Sequence, residues 1–311
     1  MMELHTDTAA RIGLGTVQFG LDYGVSNPSG QVSPDEVARI LELAAERGCR
    51  YLDTAALYGS AETVLGHVLP RQHQFRIVTK TLKVSGEIVT DADVERLHRG
   101  FLQSLERLEC DSVYGLLVHD ADDLLKPGGD KLAELLSTLR SDALVEKVGV
   151  SAYHRDQIDR VRQVMNLKLV QIPINIFDQR LIGDNWLSDL HRGGVEIHAR
   201  SLFLQGLLLM LPEQLDSRFN PIKEHIRAYR RALEEADLTP LQAALRFGLE
   251  LETIDTLILG TCSRDELAQI YQESSRSAGS FNFSAWAVDD PTLITPALWP
   301  SSNAVKEGTP Q

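Results

Sequence analysis

Four residues of this chain have the types and the spacing to move a proton together. Asp53 closes the short apolar run 50–54, and Tyr58 follows it in a small loop that starts after the run. Lys80 ends the run 75–80, and His119 ends the run 113–119. An acid, a phenol, an amine and an imidazole, each at or just past a strand end, form a set for general acid–base work. A phenol ionises near ~10, too high for easy transfer at neutral pH. A neighbouring ammonium stabilises the phenolate and lowers that value. A buried lysine in turn needs a carboxylate to keep its charge. On this logic Asp53 holds Lys80, Lys80 tunes Tyr58, and Tyr58 gives the proton. His119 then hydrogen-bonds a substrate oxygen and fixes its position.

The elements around these residues alternate in one rhythm. Residues 12–17 read as a first strand, and 18–31 as a loop with Gly20, Gly24, Pro28 and Gly30. Ser33-Pro34-Asp35-Glu36 opens a helix with a capping box. Ser60 reads as the cap of the next helix, and Thr90 as that of a third. Later strands are expected at 75–80, 113–118, 145–151, 169–174, 195–199 and 256–260, with helices between them. Thr239–Gln242 and Ser263–Glu266 read as further capping boxes. Eight strand–helix units in one run match a closed (β/α)8 TIM barrel better than an open doubly wound sheet. A dinucleotide fold of the open kind would want a third glycine after Gly13 and Gly15, directly followed by a helix. The reading is one domain over residues 1–311, with a tail from about 275 packing on the barrel and disorder from about Ser301.

Composition excludes several classes. The chain has 311 residues and a formal net charge of −13. That balance argues against nucleic acid or an anionic membrane as partner. Three scattered cysteines, Cys49, Cys110 and Cys262, give no metal motif. The first residues lack the apolar core of a signal peptide, and no apolar run would span a bilayer. A cytoplasmic protein is expected, with its oligomeric state open.

Gly15-Thr16, Leu52-Asp53-Thr54-Ala55 with Tyr58-Gly59, Thr79-Lys80 and Leu117-Val118-His119 together resemble the aldo-keto reductases. The likeness runs from about Ile12 to Tyr271. It implies a nicotinamide cofactor across the barrel top and hydride transfer to a carbonyl, with Tyr58 as general acid. By the same resemblance Gly15, Thr16 and Asp53 face the cofactor, and Ser151 and Gln171 hold its carboxamide. Ser201, Leu202 and Gly206 would take the pyrophosphate. Gly260, Ser263 and Arg264 would take the adenosine phosphate, and Gln269 the adenine.

There are departures from the family pattern. Ala152 stands where an asparagine is common, and Arg200 where a tyrosine usually stacks on the nicotinamide. The expectation is that the Arg200 guanidinium stacks there instead and favours the reduced ring. The usual phosphate-binding lysine and arginine are Gly260 and Glu266 here, leaving Arg264 as the nearest cation. Family habit nevertheless implies NADP(H), modestly preferred, with NAD(H) as the second choice. Phe19, Tyr23, Phe177 and the C-terminal aromatics are read as walls of the substrate mouth, beside Tyr58 and His119. The run Gln18–Gly24 resembles a bacterial subgroup associated with sugar metabolism, which implies a small, sugar-like carbonyl substrate. Two rivals stand beside the reductase: a cofactor-binding redox-sensing subunit, and a barrel isomerase or lyase.

Overall fold

Eight parallel strands close on one another in sequence order: β1 (Ile12–Gly15), β2 (Tyr51–Asp53), β3 (Arg76–Lys80), β4 (Val113–Val118), β5 (Val145–Ser151), β6 (Leu169–Pro173), β7 (Glu196–Arg200) and β8 (Thr256–Gly260). The computed structural model describes residues 9–276 and 280–299. The first eight residues, and the stretch from Ser301 read above as disordered, lie outside these. Among the described residues no helix is long and apolar enough to cross a membrane.

Helices cover the outside: α1 (Pro34–Glu46), α2 (Ala61–Val68), α3 (Asp91–Leu108), α4 (Gly129–Ser141), α5 (Arg155–Val164), α6 (Trp186–Arg192), α7 (Asn220–Glu235), α8 (Pro240–Leu249) and α9 (Arg264–Ser274). Their starts follow local chemistry. Thr90 and Asp93 cap each other's backbone at α3, and Thr239 and Gln242 do so at α8. At α1 and α9 only half of the expected box forms. Ser33 and Ser263 accept from the backbone N–H groups of Glu36 and Glu266, but each glutamate sends its carboxylate elsewhere. Ser60 does not cap α2; its hydroxyl instead accepts from Gln31 Nε2 at 2.9 Å. The long loop after β1 holds a one-turn helix, Val17–Gly20.

Two apolar cores result from the alternation of strand side chains. A small cluster fills the barrel itself: Tyr51, Val78, Tyr114, Leu117, Leu169 and Ile258. A large one lies between barrel and helices. At the N-terminal end of the strands the barrel is plugged by polar groups. The Glu196 carboxylate accepts from Tyr114, Lys147 and the buried His198.

The tail crosses back over the barrel. Val288 N–H donates to the Phe177 carbonyl at 2.8 Å, and Phe281 and Trp286 pack against Tyr229. Gly15 pairs with both Asp53 and Gly260, so the C-terminal ends of β1, β2 and β8 lie level. That end is where a barrel of this kind builds its site.

Candidate active site

Asp53, Lys80, Ser151, Arg200 and Gly260 are each the last residue of a strand, and His119 follows β4 by one. They open on one cleft of about 970 Å³. The Tyr58 turn is seated on main chain. Gly59 has φ +56°, and a Cβ there would lie 2.3 Å from the Gly20 carbonyl; one on Gly20 would lie 1.9 Å from the Tyr58 carbonyl. Only glycine fits at either position.

Lys80 is buried, and its Nζ donates to both oxygens of Asp53 at 2.8 Å and to the Thr54 carbonyl at 2.9 Å. The Tyr58 hydroxyl lies 3.3 Å from the same nitrogen. Gln171 Nε2 donates to Asp53 Oδ1 at 2.6 Å, tying β6 to the pair. Burial works against the Lys80 ammonium, yet Asp53 and then Tyr58 outweigh it and hold its pKa above the ordinary lysine value. Lys80 is thus a fixed positive charge beside the phenol rather than a proton donor.

His119 meets the Tyr58 ring edge-on at 6.2 Å between centroids. Burial, then the cations Lys80, Lys83 and Arg200, push its pKa down to about 3. The imidazole is neutral at physiological pH. The unfolded histidine titrates near ~6.5. Between these two values the unfolded chain binds more protons, so His119 draws down stability as pH falls through that window. Urea midpoints between about pH 7 and pH 4 should fall less steeply for His119→Gln than for wild type. Parallel slopes would show that the imidazole is not buried neutral.

The other sequence candidates divide. Gly15, Thr16, Tyr23, Gln171, Ser201, Leu202, Gly206 and Gln269 line the same cleft. Phe19 and Phe177 do not: both are fully buried. Phe19 sits on the one-turn helix, which turns it into the outer core, and Phe177 lies edge-on to His225 and Tyr229. Nor do the C-terminal aromatics wall the mouth. The tail contributes Pro291, Thr295, Ala297 and Leu298 instead. Ser263 and Arg264 stay off the lining, while Thr261, Cys262 and Glu266 are on it. Arg200 belongs to β7, and its guanidinium lies 4.4 Å over the ring of Tyr153.

Several lining residues carried no sequence signal of their own. Tyr153 is two residues beyond Ser151. Gln205 donates to the Tyr23 hydroxyl at 2.9 Å, and its carbonyl accepts from Val25 N–H at 3.0 Å, so the loop after β1 straps onto the loop after β7. Gly206 (φ +91°) makes this possible, since a Cβ there would fall 1.8 Å from Ser26 Oγ.

The cleft suits an extended dinucleotide. At its floor Gln171 Oε1 is buried without a partner among the described residues, an acceptor waiting for a donor such as a carboxamide. Gly260 leaves no Cβ to crowd the side chain of Gln18, whose own Oε1 is buried with no partner among the described residues.

A closed parallel barrel with a phenol, an ammonium–carboxylate pair and a neutral imidazole at its C-terminal mouth defines a class: barrel enzymes built for proton transfer beside a long ligand groove. The profile of the Aldo/keto reductase family matches residues 11–279, and the chain belongs to that family. It is an oxidoreductase of the carbonyl–alcohol type, and the family works with nicotinamide cofactors. It is 23% identical to the uncharacterised oxidoreductase YqkF of Bacillus subtilis over 86% of this chain and 87% of that one. It is 29% identical to a 6-dehydroglucose reductase of Novosphingobium aromaticivorans over 44% of this chain and 48% of that one. Among solved structures, the holo form of a Bacillus halodurans aldo-keto reductase shares the fold with a TM-score of 0.71 at 20% identity, over 89% and 90% of the two chains. A glycerol dehydrogenase of Gluconobacter oxydans shares it with 0.66 at 21%, over 87% and 88%.

Proposed function

We propose that this chain reduces an aldehyde or ketone with Tyr58 as the proton donor. The observation that carries the reading is the Tyr58 hydroxyl, 3.3 Å from a lysine held charged by Asp53. The charge favours the phenolate that remains after the proton leaves. His119, kept neutral, orients the carbonyl oxygen toward that proton. When bound, the reduced nicotinamide supplies the hydride. Ser151 and Gln171 would hold its carboxamide, Ser201, Leu202 and Gly206 its pyrophosphate, and Gln269 its adenine. The strap from Tyr23 and Val25 onto Gln205 would limit water entry at the groove.

A hydroxylated, sugar-like carbonyl compound is the proposed substrate class. Two similar proteins bear names that point to such compounds, 6-dehydroglucose reductase and glycerol dehydrogenase. The cleft lining includes polar groups to match, among them Asp122 and His154. Steady-state oxidation of NADH and NADPH with 4-nitrobenzaldehyde, then with a panel of aldoses and small aldehydes, tests both statements. No turnover with any of them would leave a cofactor-binding regulatory barrel as the better account. A preference for apolar aldehydes in kcat/KM would remove the sugar-like class.

Arg200 is proposed to stand at the nicotinamide end. Tyr153 occupies one face of its guanidinium, and cation–π contacts of this kind contribute about 0.5–2 kcal/mol. A fixed cation there disfavours the positively charged oxidised ring. Fluorescence titration of Arg200→Ala should show a larger loss of affinity for the reduced cofactor than for the oxidised one. Unchanged affinity for both would place Arg200 away from the ring.

A further inference from the structure

The cleft has two chemically different ends. The cations Lys80, Lys83 and Arg200 gather at the end that holds Tyr58 and His119. The lining after β8 comes from Thr261, Cys262, Glu266 and Gln269, with no lysine or arginine among the described residues there. The proton donor decides which way a dinucleotide lies. Its reacting ring has to reach Tyr58, so its adenosine half falls at the β8 end. NADP(H) differs from NAD(H) only in that half, by a 2′-phosphate carrying about −1.5 to −2 charge.

A helix N-terminus is a ready place for such an anion, because its first backbone N–H groups lack partners. At the start of α9 several of the nearby donors are already engaged within the protein. Cys262 N–H donates to Glu266 Oε2 at 2.7 Å, and the Thr261 hydroxyl lies 3.1 Å from the same oxygen and 3.0 Å from the Ser263 carbonyl. Arg264 N–H donates to Glu36 Oε1 at 2.7 Å. Glu266 N–H is held by Ser263 Oγ at 3.1 Å. That backbone bond from Arg264, and then Arg39, hold the Glu36 carboxyl below its ordinary value, so it stays ionised. The side chain of Arg264 is exposed and off the lining. A 2′-phosphate would displace Glu266 from the Cys262 N–H and sit beside its charge. A ribose 2′-hydroxyl would instead donate to that carboxylate.

We infer that this chain selects NAD(H) over NADP(H), with Glu266 as the selecting residue and Glu36 closing the neighbouring donor. The inference rests on the nicotinamide-dependent reading above and reverses the cofactor preference that family habit implies for this sequence.

Binding alone tests it, without turnover. Wild-type protein is titrated with NADH and with NADPH by fluorescence, and 5′-AMP is compared with 2′,5′-ADP as competitor. NADH should bind at least about tenfold tighter, the scale of one like-charge contact near a protein surface. 5′-AMP should compete better than 2′,5′-ADP. Glu266→Gln keeps an acceptor for the Cys262 N–H and removes the charge, so the gap should narrow through tighter NADPH binding. Equal or tighter NADPH binding by wild type overturns the inference and leaves the reductase reading intact. A gap unchanged in Glu266→Gln overturns the role given to this residue. Binding of neither cofactor overturns the nicotinamide reading and the inference together.

Discussion

Tyr58→Phe should lower kcat by about 10²–10⁴-fold, the range that a positioned general acid contributes, and leave cofactor affinity unchanged. The substitution removes one oxygen and its proton. The ring keeps its edge contact with His119 and its place over the Lys80 ammonium, 4.8 Å from the ring centroid. The contacts proposed for the carboxamide, pyrophosphate and adenine come from β5, β6 and the segments after β7 and β8, so cofactor affinity has no reason to change. Steady-state kinetics with a saturating aldehyde, paired with a fluorescence titration, separates the two quantities. Wild-type turnover in the Phe variant would mean that the proton comes from elsewhere.

Lys80→Met should cost about 3–5 kcal/mol of folding stability, because it leaves the buried Asp53 carboxylate without its counter-charge. Asp53 is 3% exposed, so water cannot take the place of the ammonium. Adding Asp53→Asn should restore most of that loss, since the charge is gone and an amide oxygen still accepts from Gln171 Nε2. Neither protein should reduce a carbonyl compound, because the phenolate loses its stabilising cation. Urea denaturation read by tryptophan fluorescence gives the stabilities. A Lys80→Met variant as stable as wild type would show that the ion pair is not dry. Recovered activity in the double variant would remove the ammonium from the chemistry.

How far such a site can be read from residues alone depends on whether its signal is local. Asp53, Lys80 and His119 were legible because each ends or directly follows a strand of a repeating β/α unit, and a barrel gathers such ends on one face. Arg200 was legible as an oddity for the same reason. Its partner Tyr153 was not, since contact between the ends of β5 and β7 depends on barrel closure. Phe19 and Phe177 were misread because a loop aromatic carries no periodicity to say which way it points. The half-formed caps at α1 and α9 are the most instructive case. Ser-x-x-Glu predicts a reciprocal pair, but the pattern is blind to competing donors. The N–H of Arg264 reached Glu36 across 228 positions of sequence, and Glu266 turned to Cys262 rather than to the cap. The helices began where expected, and the carboxylates proposed to bear on cofactor choice went elsewhere.

The glycine-on-glycine contact beneath Tyr58 has an entropic consequence. A side chain packed under that turn could change rotamer, and the phenol would move with it. Gly20 and Gly59 have no rotamers to change, and their main chains meet directly. The cost of placing the hydroxyl is therefore met once, when the barrel folds, and is not met again with each substrate. A larger residue at either position would disturb that arrangement even in a protein that folds, because the proposed proton donor would then have to be ordered during the reaction cycle itself.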